Sequence, residues 1–190
     1  LSELVGKNID HLLGRAEAFR AREAHWSSVA FALETAWYDL QGQQQNTTIS
    51  SILHGKRSNR VTPYLSISVS DHRELQERLR SETEDAKVIQ LKLTNRSWAD
   101  DVAWIHQVLD HLPTVEWLLA DANGKWSVSQ ACEIISRCQD PRIIWEEPCA
   151  TYSENVEVEQ TTHQRVMADQ CVGSMANAEK AVREKGVSAT

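Results

Sequence analysis

Polar side chains that can bind a metal or move a proton follow four apolar stretches of this sequence. Lys92 follows VIQL, Asp121 follows WLLA, Glu146 follows IIW and Asp169 follows RVMA. If these stretches are neighbouring parallel strands, roughly 4.8 Å apart, their side chains meet at one edge of a sheet. Three carboxylates that close repel one another unless a cation lies between them. Because ligands that are all oxygen select a hard divalent ion, the pattern predicts a Mg²⁺ site rather than a Zn²⁺ site.

Lys92 adds a group that can move a proton beside the predicted ion. A nearby divalent cation favours the neutral amine, so this lysine could act as a base near neutral pH. The same ion would acidify the α-proton of a bound carboxylate substrate, because it stabilises the enediolate that forms. The pattern therefore predicts Mg²⁺-assisted abstraction of an α-proton.

Each of these residues also has a simpler interpretation. An acidic residue at the end of a strand often caps the next helix or stabilises a turn, and Asp121 is followed by the turn sequence ANGK. A lysine in the same position could be an ordinary surface residue. The grouping of three carboxylates and one lysine favours the metal site.

The elements that must position these residues alternate along the chain. Apolar, strand-like runs are separated by helix-like segments, and the runs are continuous, as parallel strands buried on both faces require. Ser97 and Ser127 are predicted to cap two of the helices. The predicted strands are TPYLSISV, KVIQLKL, EWLLADA, RIIWEEP and QRVMAD, and the predicted helices cover 71–84, 97–112, 127–138, 152–162 and 174–186.

Five βα units fit either an open doubly wound sheet or part of a (β/α)8 barrel. No glycine-rich phosphate loop follows the first run, which disfavours a dinucleotide-binding fold. Acidic residues at successive strand ends favour the barrel. We therefore predict an α/β fold, a partial TIM-type barrel over 60–190.

The first part of the chain, 1–59, is predicted to be helical and separate. It contains no proline, and one face of a helix is marked by apolar residues at Val29, Leu33, Trp37 and Leu40. The basic and polar residues around Arg57 to Arg60 indicate a domain boundary.

The composition of the chain argues against several classes of partner and of metal site. With 27 acidic and 20 basic residues, the formal net charge is −7, which argues against nucleic-acid binding. No apolar run is long enough for a membrane span and no signal-peptide pattern is present, so we expect a soluble, cytoplasmic protein. The four cysteines and seven histidines are scattered, which predicts reduced thiols and gives no zinc motif.

Three motifs in order, LADANGKW, IWEEPCATYSEN and VMADQCV, resemble the ligand motifs of the enolase superfamily, in its mandelate racemase and muconate-lactonizing branch. ALETAWYDLQGQ resembles the helix that joins that family's α+β capping domain to the barrel, so the resemblance implies that 1–59 is the helical remnant of that capping domain. IQLKL resembles the lysine-bearing second strand. The resemblance implies that Asp121, Glu146 and Asp169 bind Mg²⁺, that Lys92 is the acid/base, and that Asn123 lines the site.

The stretch EEPCATYSEN, together with Gln90, is most similar to members that act on proline-type amino acids or betaines. This similarity implies a racemase or epimerase of the hydroxyproline-betaine type, with a cis-3-hydroxyproline dehydratase as the alternative. The expected partner is a small carboxylate substrate, and the expected assembly is a homo-oligomer.

The sequence departs from the family pattern in three places. Gln90 stands where many relatives have the first lysine of a Lys-x-Lys pair, and Gln170 follows Asp169 where relatives usually have a second acidic residue. The last residues, AVREKGVSAT, precede the point where a sixth strand is expected. The resemblance therefore implies a partial barrel, and a non-catalytic fragment or a barrel completed by another chain are open alternatives.

Overall fold

The computed structural model describes residues 6–20, 26–55, 62–82, 86–93 and 97–188. The chain divides into two compact units, Leu1–Val61 and Thr62–Thr190. The predicted boundary near Arg57 to Arg60 lies outside the described residues. The assignment of 1–59 to a capping domain stays a prediction.

The regular elements in the described part of the first unit are helices, as the sequence predicts. Trp37 Nε1 donates a hydrogen bond to Asp10 Oδ1 at 3.1 Å and so ties the second helix to the first. The predicted apolar face is only partly covered within this unit, since Val29 and Leu40 are 37% and 36% exposed. The helices are α1 (Asp10–Arg20), α2 (Ser27–Gln45) and α3 (Ile49–Ile52).

The second unit is a five-stranded parallel sheet whose strands pair in chain order, β1-β2-β3-β4-β5. This order confirms the predicted α/β class with one helix following each strand. The strands are β1 (Tyr64–Ile67), β2 (Val88–Lys92), β3 (Trp117–Asp121), β4 (Ile143–Glu146) and β5 (Val166–Met167). The helices are α4 (His72–Glu82), α5 (Trp98–His111), α6 (Val128–Arg137), α7 (Tyr152–Thr162) and α8 (Met175–Glu184).

The apolar runs form the core of this unit because one face of the sheet is packed against helices, whereas Val88, Leu119 and Ile144 on the other face are only partly buried. Ile89, Leu91, Leu118 and Ile143 are all buried, together with Trp145 in β4. Burial of such side chains stabilises a fold by about 1.5–3 kcal/mol each. The last strand is shorter than predicted, since only two residues of QRVMAD pair with β4.

Side-chain caps define where three of the helices begin, each after the loop that follows a strand. Ser127 and Thr151 each form a capping box. The hydroxyl of the cap residue accepts the backbone N–H of the third helical residue, and the side chain of that third residue accepts the backbone N–H of the cap residue. Ser97 accepts the Asp100 N–H in the same way, which confirms the predicted caps at Ser97 and Ser127. These caps hold the loops at the carboxyl ends of the strands in fixed positions.

All four cysteines are free; Cys138 and Cys149 are buried, while Cys132 and Cys171 are partly exposed. None of the helices in the described ranges combines the length and the apolar character that a membrane span requires.

Candidate functional site

Four residues form one row across the carboxyl ends of β2 to β5. Lys92 pairs with Asp121, Asp121 pairs with Glu146, and Glu146 pairs with Met167. The loops at this end of a parallel sheet form one face, where α/β proteins place their chemistry. The structure therefore brings together three of the predicted site residues, and it puts a methionine in the fourth position of the row.

Asp121 is fully buried and every oxygen of its carboxylate is engaged. Oδ2 accepts hydrogen bonds from the Lys92 ammonium and from the Gln90 amide, the latter at 3.4 Å. Oδ1 accepts the backbone N–H and the side-chain amide of Asn123, both at 2.8 Å. Four donors directed at one buried carboxylate hold it in a single orientation.

Gln90 lies between the first two carboxylates and has a fixed orientation. Its Oε1 accepts a hydrogen bond from Ser66 Oγ at 2.8 Å, so its Nε2 faces the opposite way. Nε2 donates to Glu146 at 2.8 Å and also reaches Asp121. Gln90 thus bridges two carboxylates with a neutral donor, at the position where a Lys-x-Lys pattern has a cation.

The charges of the site shift the pKa values of two of its members. Burial alone lowers the pKa of Lys92, but the hydrogen bond to Asp121 and the charges of Asp121, Glu146 and Asp169 outweigh burial and raise it. Burial raises the pKa of Glu146; Asp121 and Asp169 add to this effect, and Gln90 and Lys92 oppose it. Asp169 therefore acts electrostatically on both groups.

Asp169 itself lies outside the row, which corrects the expectation of three carboxylates in register. β5 ends at Met167, and Asp169 is an exposed residue in the loop after it. Its backbone N–H donates to the Glu147 carboxylate at 2.5 Å. The paired part of β5 ends before Asp169, and the buried side chain of Glu147, in the loop after β4, accepts its backbone N–H instead.

Asn123 and Gln170 lie on the outer side of the row. Gln170 Nε2 donates to Asn123 Oδ1 at 3.3 Å, which joins the loops after β3 and β5. Gln170 is exposed and Asn123 is partly exposed. Asn123 is thus in contact with Asp121, and Gln170 is in contact with Asn123.

The simpler interpretations of the acidic residues hold for only one of them. Asp121 does stabilise a turn, because its Oδ1 accepts the Asn123 N–H two residues on. The residue that caps α7 is Thr151, so Glu146 has no capping role there. Asp169 precedes a short 3-10 helix but makes no side-chain capping bond to it.

The donor chemistry of the site fits Mg²⁺. Asp121 and Glu146 are adjacent carboxylates, Asp169 is close enough to raise the pKa of Glu146, and a cation would relieve the repulsion among the three. Within the described ranges, no three His, Cys, Asp or Glu side chains form a group that could hold a metal ion in their present positions.

Two residues of the site are absent from the predicted set. Ser66 orients Gln90 from β1, and Glu147 accepts bonds from the loop after β5. Ser66 gives no sequence signal, because its partner is on another strand. Glu147 does, because it is a second acidic residue directly after the predicted ligand Glu146.

Comparison with known proteins places these features in a family. Residues 72–190 match the family described as enolase C-terminal domain-like. A cis-3-hydroxy-L-proline dehydratase from Roseibium aggregatum is 25% identical over 171 residues, which is 85% of this chain and 46% of that protein.

Solved structures show the same fold. A mandelate racemase/muconate lactonizing enzyme from Roseovarius nubinhibens ISM has a TM-score of 0.74 and 24% identity, covering 98% of this chain and 52% of that one. A dipeptide epimerase from Cytophaga hutchinsonii, complexed with Mg and the dipeptide D-Ala-L-Val, has a TM-score of 0.78 and 21% identity, covering 97% and 51%. The chain thus spans about half the length of these relatives.

Proposed function

Because this chain belongs to the enolase C-terminal domain-like family, in the mandelate racemase/muconate-lactonizing branch of the enolase superfamily, we propose that it serves α-proton abstraction from a carboxylate substrate, with Mg²⁺ as cofactor. The observation that carries this proposal is the row of Lys92, Asp121 and Glu146 across three neighbouring strand ends. A candidate base and two candidate oxygen ligands lie on adjacent strands, and this supports the proposal.

In this proposal Asp121, Glu146 and Asp169 hold the ion. When bound, Mg²⁺ would stabilise the negative charge that develops on the substrate carboxylate as the α-proton leaves. Glu146 contributes a carboxylate whose negative form is disfavoured by burial and by its acidic neighbours, so it gains from a cation. Asp169 contributes the third proposed carboxylate ligand, from the loop after β5.

Lys92 is the proposed base. Its side chain is 34% exposed, so the ammonium is reachable from solvent although it contacts the buried Asp121. Gln90 cannot take the proton, since an amide does not titrate; we assign it the role of keeping Asp121 and Glu146 oriented. Asn123 and Gln170, on the exposed side of the row, are the proposed substrate contacts.

We propose a proline-type amino acid or betaine as substrate, with racemisation or epimerisation as the reaction. The similarity of EEPCATYSEN supports the proline-type substrate, and the dipeptide epimerase among the similar structures supports epimerisation. The relative named cis-3-hydroxy-L-proline dehydratase supports dehydration as the second candidate. Both reactions begin with loss of the same α-proton. They differ in whether a proton returns to the α-carbon or a hydroxyl group leaves as water.

The test is solvent exchange of the α-proton in deuterated water, followed by proton NMR with and without Mg²⁺. The panel contains L- and D-proline, hydroxyproline betaine, cis-3-hydroxy-L-proline and one dipeptide. We expect Mg²⁺-dependent exchange with at least one proline-type acid. Accumulation of the opposite configuration would identify an epimerase, and a product lighter by one water would identify a dehydratase.

Absence of exchange with every compound, under conditions where Mg²⁺ binds, would contradict the proposal. A non-catalytic fragment would then be the better description of this chain. Exchange only in an assembly of defined size, measured by size-exclusion chromatography, would support a site completed by another chain.

A further inference from the structure

Glu147 is a fully enclosed acidic residue next to the proposed ligands, and the proposed chemistry does not use it. Its side chain is 2% exposed, and its backbone has a φ of 44°, in the left-handed region that disfavours residues with a side chain. Burial of a carboxylate and a left-handed backbone both cost free energy. A residue with both costs must be held by compensating contacts.

The side-chain hydrogen bonds of Glu147 are with the loop after β5. Glu147 Oε2 accepts the Asp169 N–H at 2.5 Å and Oε1 accepts the Cys171 N–H at 2.7 Å. Oε2 also accepts from the Cys171 thiol at 3.3 Å. Only a carboxylate offers two oxygens that accept without donating, so it matches two N–H groups and a thiol.

The backbone of Glu147 adds two further bonds. Its N–H donates to Met167 O at 2.9 Å, at the end of β5, and its C=O accepts the Gly124 N–H at 2.6 Å, in the loop after β3. One residue of the loop after β4 thus joins the loop that follows Asp121 to the loop that carries Asp169. Because β5 ends at Met167, sheet pairing does not reach Asp169.

We propose that Glu147 is a positioning residue that sets the place of Asp169 relative to Asp121 and Glu146, and thereby the Mg²⁺ affinity of the site. This inference rests on the proposed function. Glu147 does not touch the ion in this scheme; it acts through the backbone of the third ligand. Partners that orient a metal ligand typically contribute 10- to 100-fold to metal affinity.

The chain contains a matched control in Glu159. Its carboxylate also accepts two backbone N–H groups, from Val166 and Ser188, both at 2.8 Å, and one side-chain donor, Ser188 Oγ, at 2.9 Å. These bonds lie at the opposite end of β5, away from the carboxylate row. The two residues therefore share a bonding pattern and differ in which end of the strand they hold.

The experiment measures Mg²⁺ binding by isothermal titration calorimetry, without substrate, for wild type, Glu147→Gln and Glu159→Gln. Glutamine has the size of glutamate but turns an NH₂ group toward a backbone N–H. We expect Glu147→Gln to raise the Kd for Mg²⁺ at least about tenfold. We expect Glu159→Gln to leave that Kd within about twofold, although both variants unfold at lower temperature.

Equal Kd values for wild type and Glu147→Gln would overturn the inference and leave the proposed function standing. No Mg²⁺ binding by folded wild type would instead overturn the metal site itself. If Glu147→Gln does not fold, Glu147→Asp keeps both acceptor oxygens on a shorter side chain and is expected to show the same loss of affinity.

Amide hydrogen exchange of wild type tests the contact without any variant. We expect the Asp169 and Cys171 amides to be protected, because each donates to a buried carboxylate. Exchange of both amides at the rate of an unstructured loop would overturn the inference.

Discussion

Lys92 and Asp121 lie directly opposite each other on β2 and β3, and the ammonium of Lys92 donates a hydrogen bond to Asp121 Oδ2. Asp121 is buried, whereas the Lys92 side chain keeps a third of its surface exposed. The ion pair therefore joins a fixed carboxylate to a lysine that is open on one side. The proposed proton carrier is thus in direct contact with a proposed metal ligand.

Lys92→Ala is expected to reduce α-proton exchange of the substrate by at least about 100-fold, because general-base catalysis contributes that much or more. Mg²⁺ binding is expected to persist, since the three proposed ligands remain. Proton NMR in deuterated water and calorimetry with Mg²⁺ measure the two properties. Lys125→Ala, which removes an exposed lysine after β3, is the control, and normal exchange in Lys92→Ala would refute the role of base.

Ser66→Ala is expected to destabilise the fold by about 1 kcal/mol, because Gln90 Oε1 loses its donor and the amide can turn over. A reversed amide would present its oxygen to Glu146, which is a repulsive contact. Urea denaturation measures the change in the free energy of unfolding. Ser68→Ala, an exposed serine just after the same strand, is expected to change it by less than about 0.5 kcal/mol. Equal effects of the two substitutions would contradict the proposed orientation of Gln90.

Gly124→Ala is expected to lower the melting temperature. Gly124 has a φ of +69°, and an added Cβ would lie 3.1 Å from Ala150 Cα, which is backbone and cannot move aside cheaply. The left-handed conformation alone costs an alanine about 1–2 kcal/mol. Gly14→Ala is the opposite case, since it lies inside α1 with nothing within 4 Å of the new Cβ, and it is expected to stabilise by about 0.5–1 kcal/mol. Differential scanning calorimetry should show shifts of opposite sign.

Cys138 gives a prediction for alkaline pH. Burial raises the pKa of its thiol to about 11 from an ordinary value of 9.0, so the fold favours the protonated thiol. The stability that this provides is fully present below about pH 9 and is lost as pH rises toward 11. Cys138→Ala should flatten the fall of unfolding free energy over this interval. Cys132→Ala, at a less buried thiol, is expected to change it less; equal slopes for wild type and Cys138→Ala would contradict the prediction.

Much of the fold could be predicted from the order of residues along the chain. Continuous apolar runs such as KVIQLKL and EWLLADA predict parallel strands because both faces of such strands are buried, and Ser97 and Ser127 mark helix starts because a hydroxyl there satisfies a free N–H. These signals are local, and the structure confirms them. The length of β5 was overestimated, because the pairing that ends it at Met167 depends on β4.

In the candidate site, too, some features could be predicted from the sequence and others depend on tertiary contacts. The sequence by itself placed Lys92, Asp121 and Glu146 at strand ends, since an apolar run followed by a charged residue is visible in one dimension. Only the tertiary structure decided that Met167, and not Asp169, completes their row, that Ser66 orients Gln90, and that Glu147 holds the backbone of Asp169. Each of these depends on a contact between residues far apart in the chain. Such contacts are set by strand pairing and loop packing, and their partners are brought together only when the sheet forms.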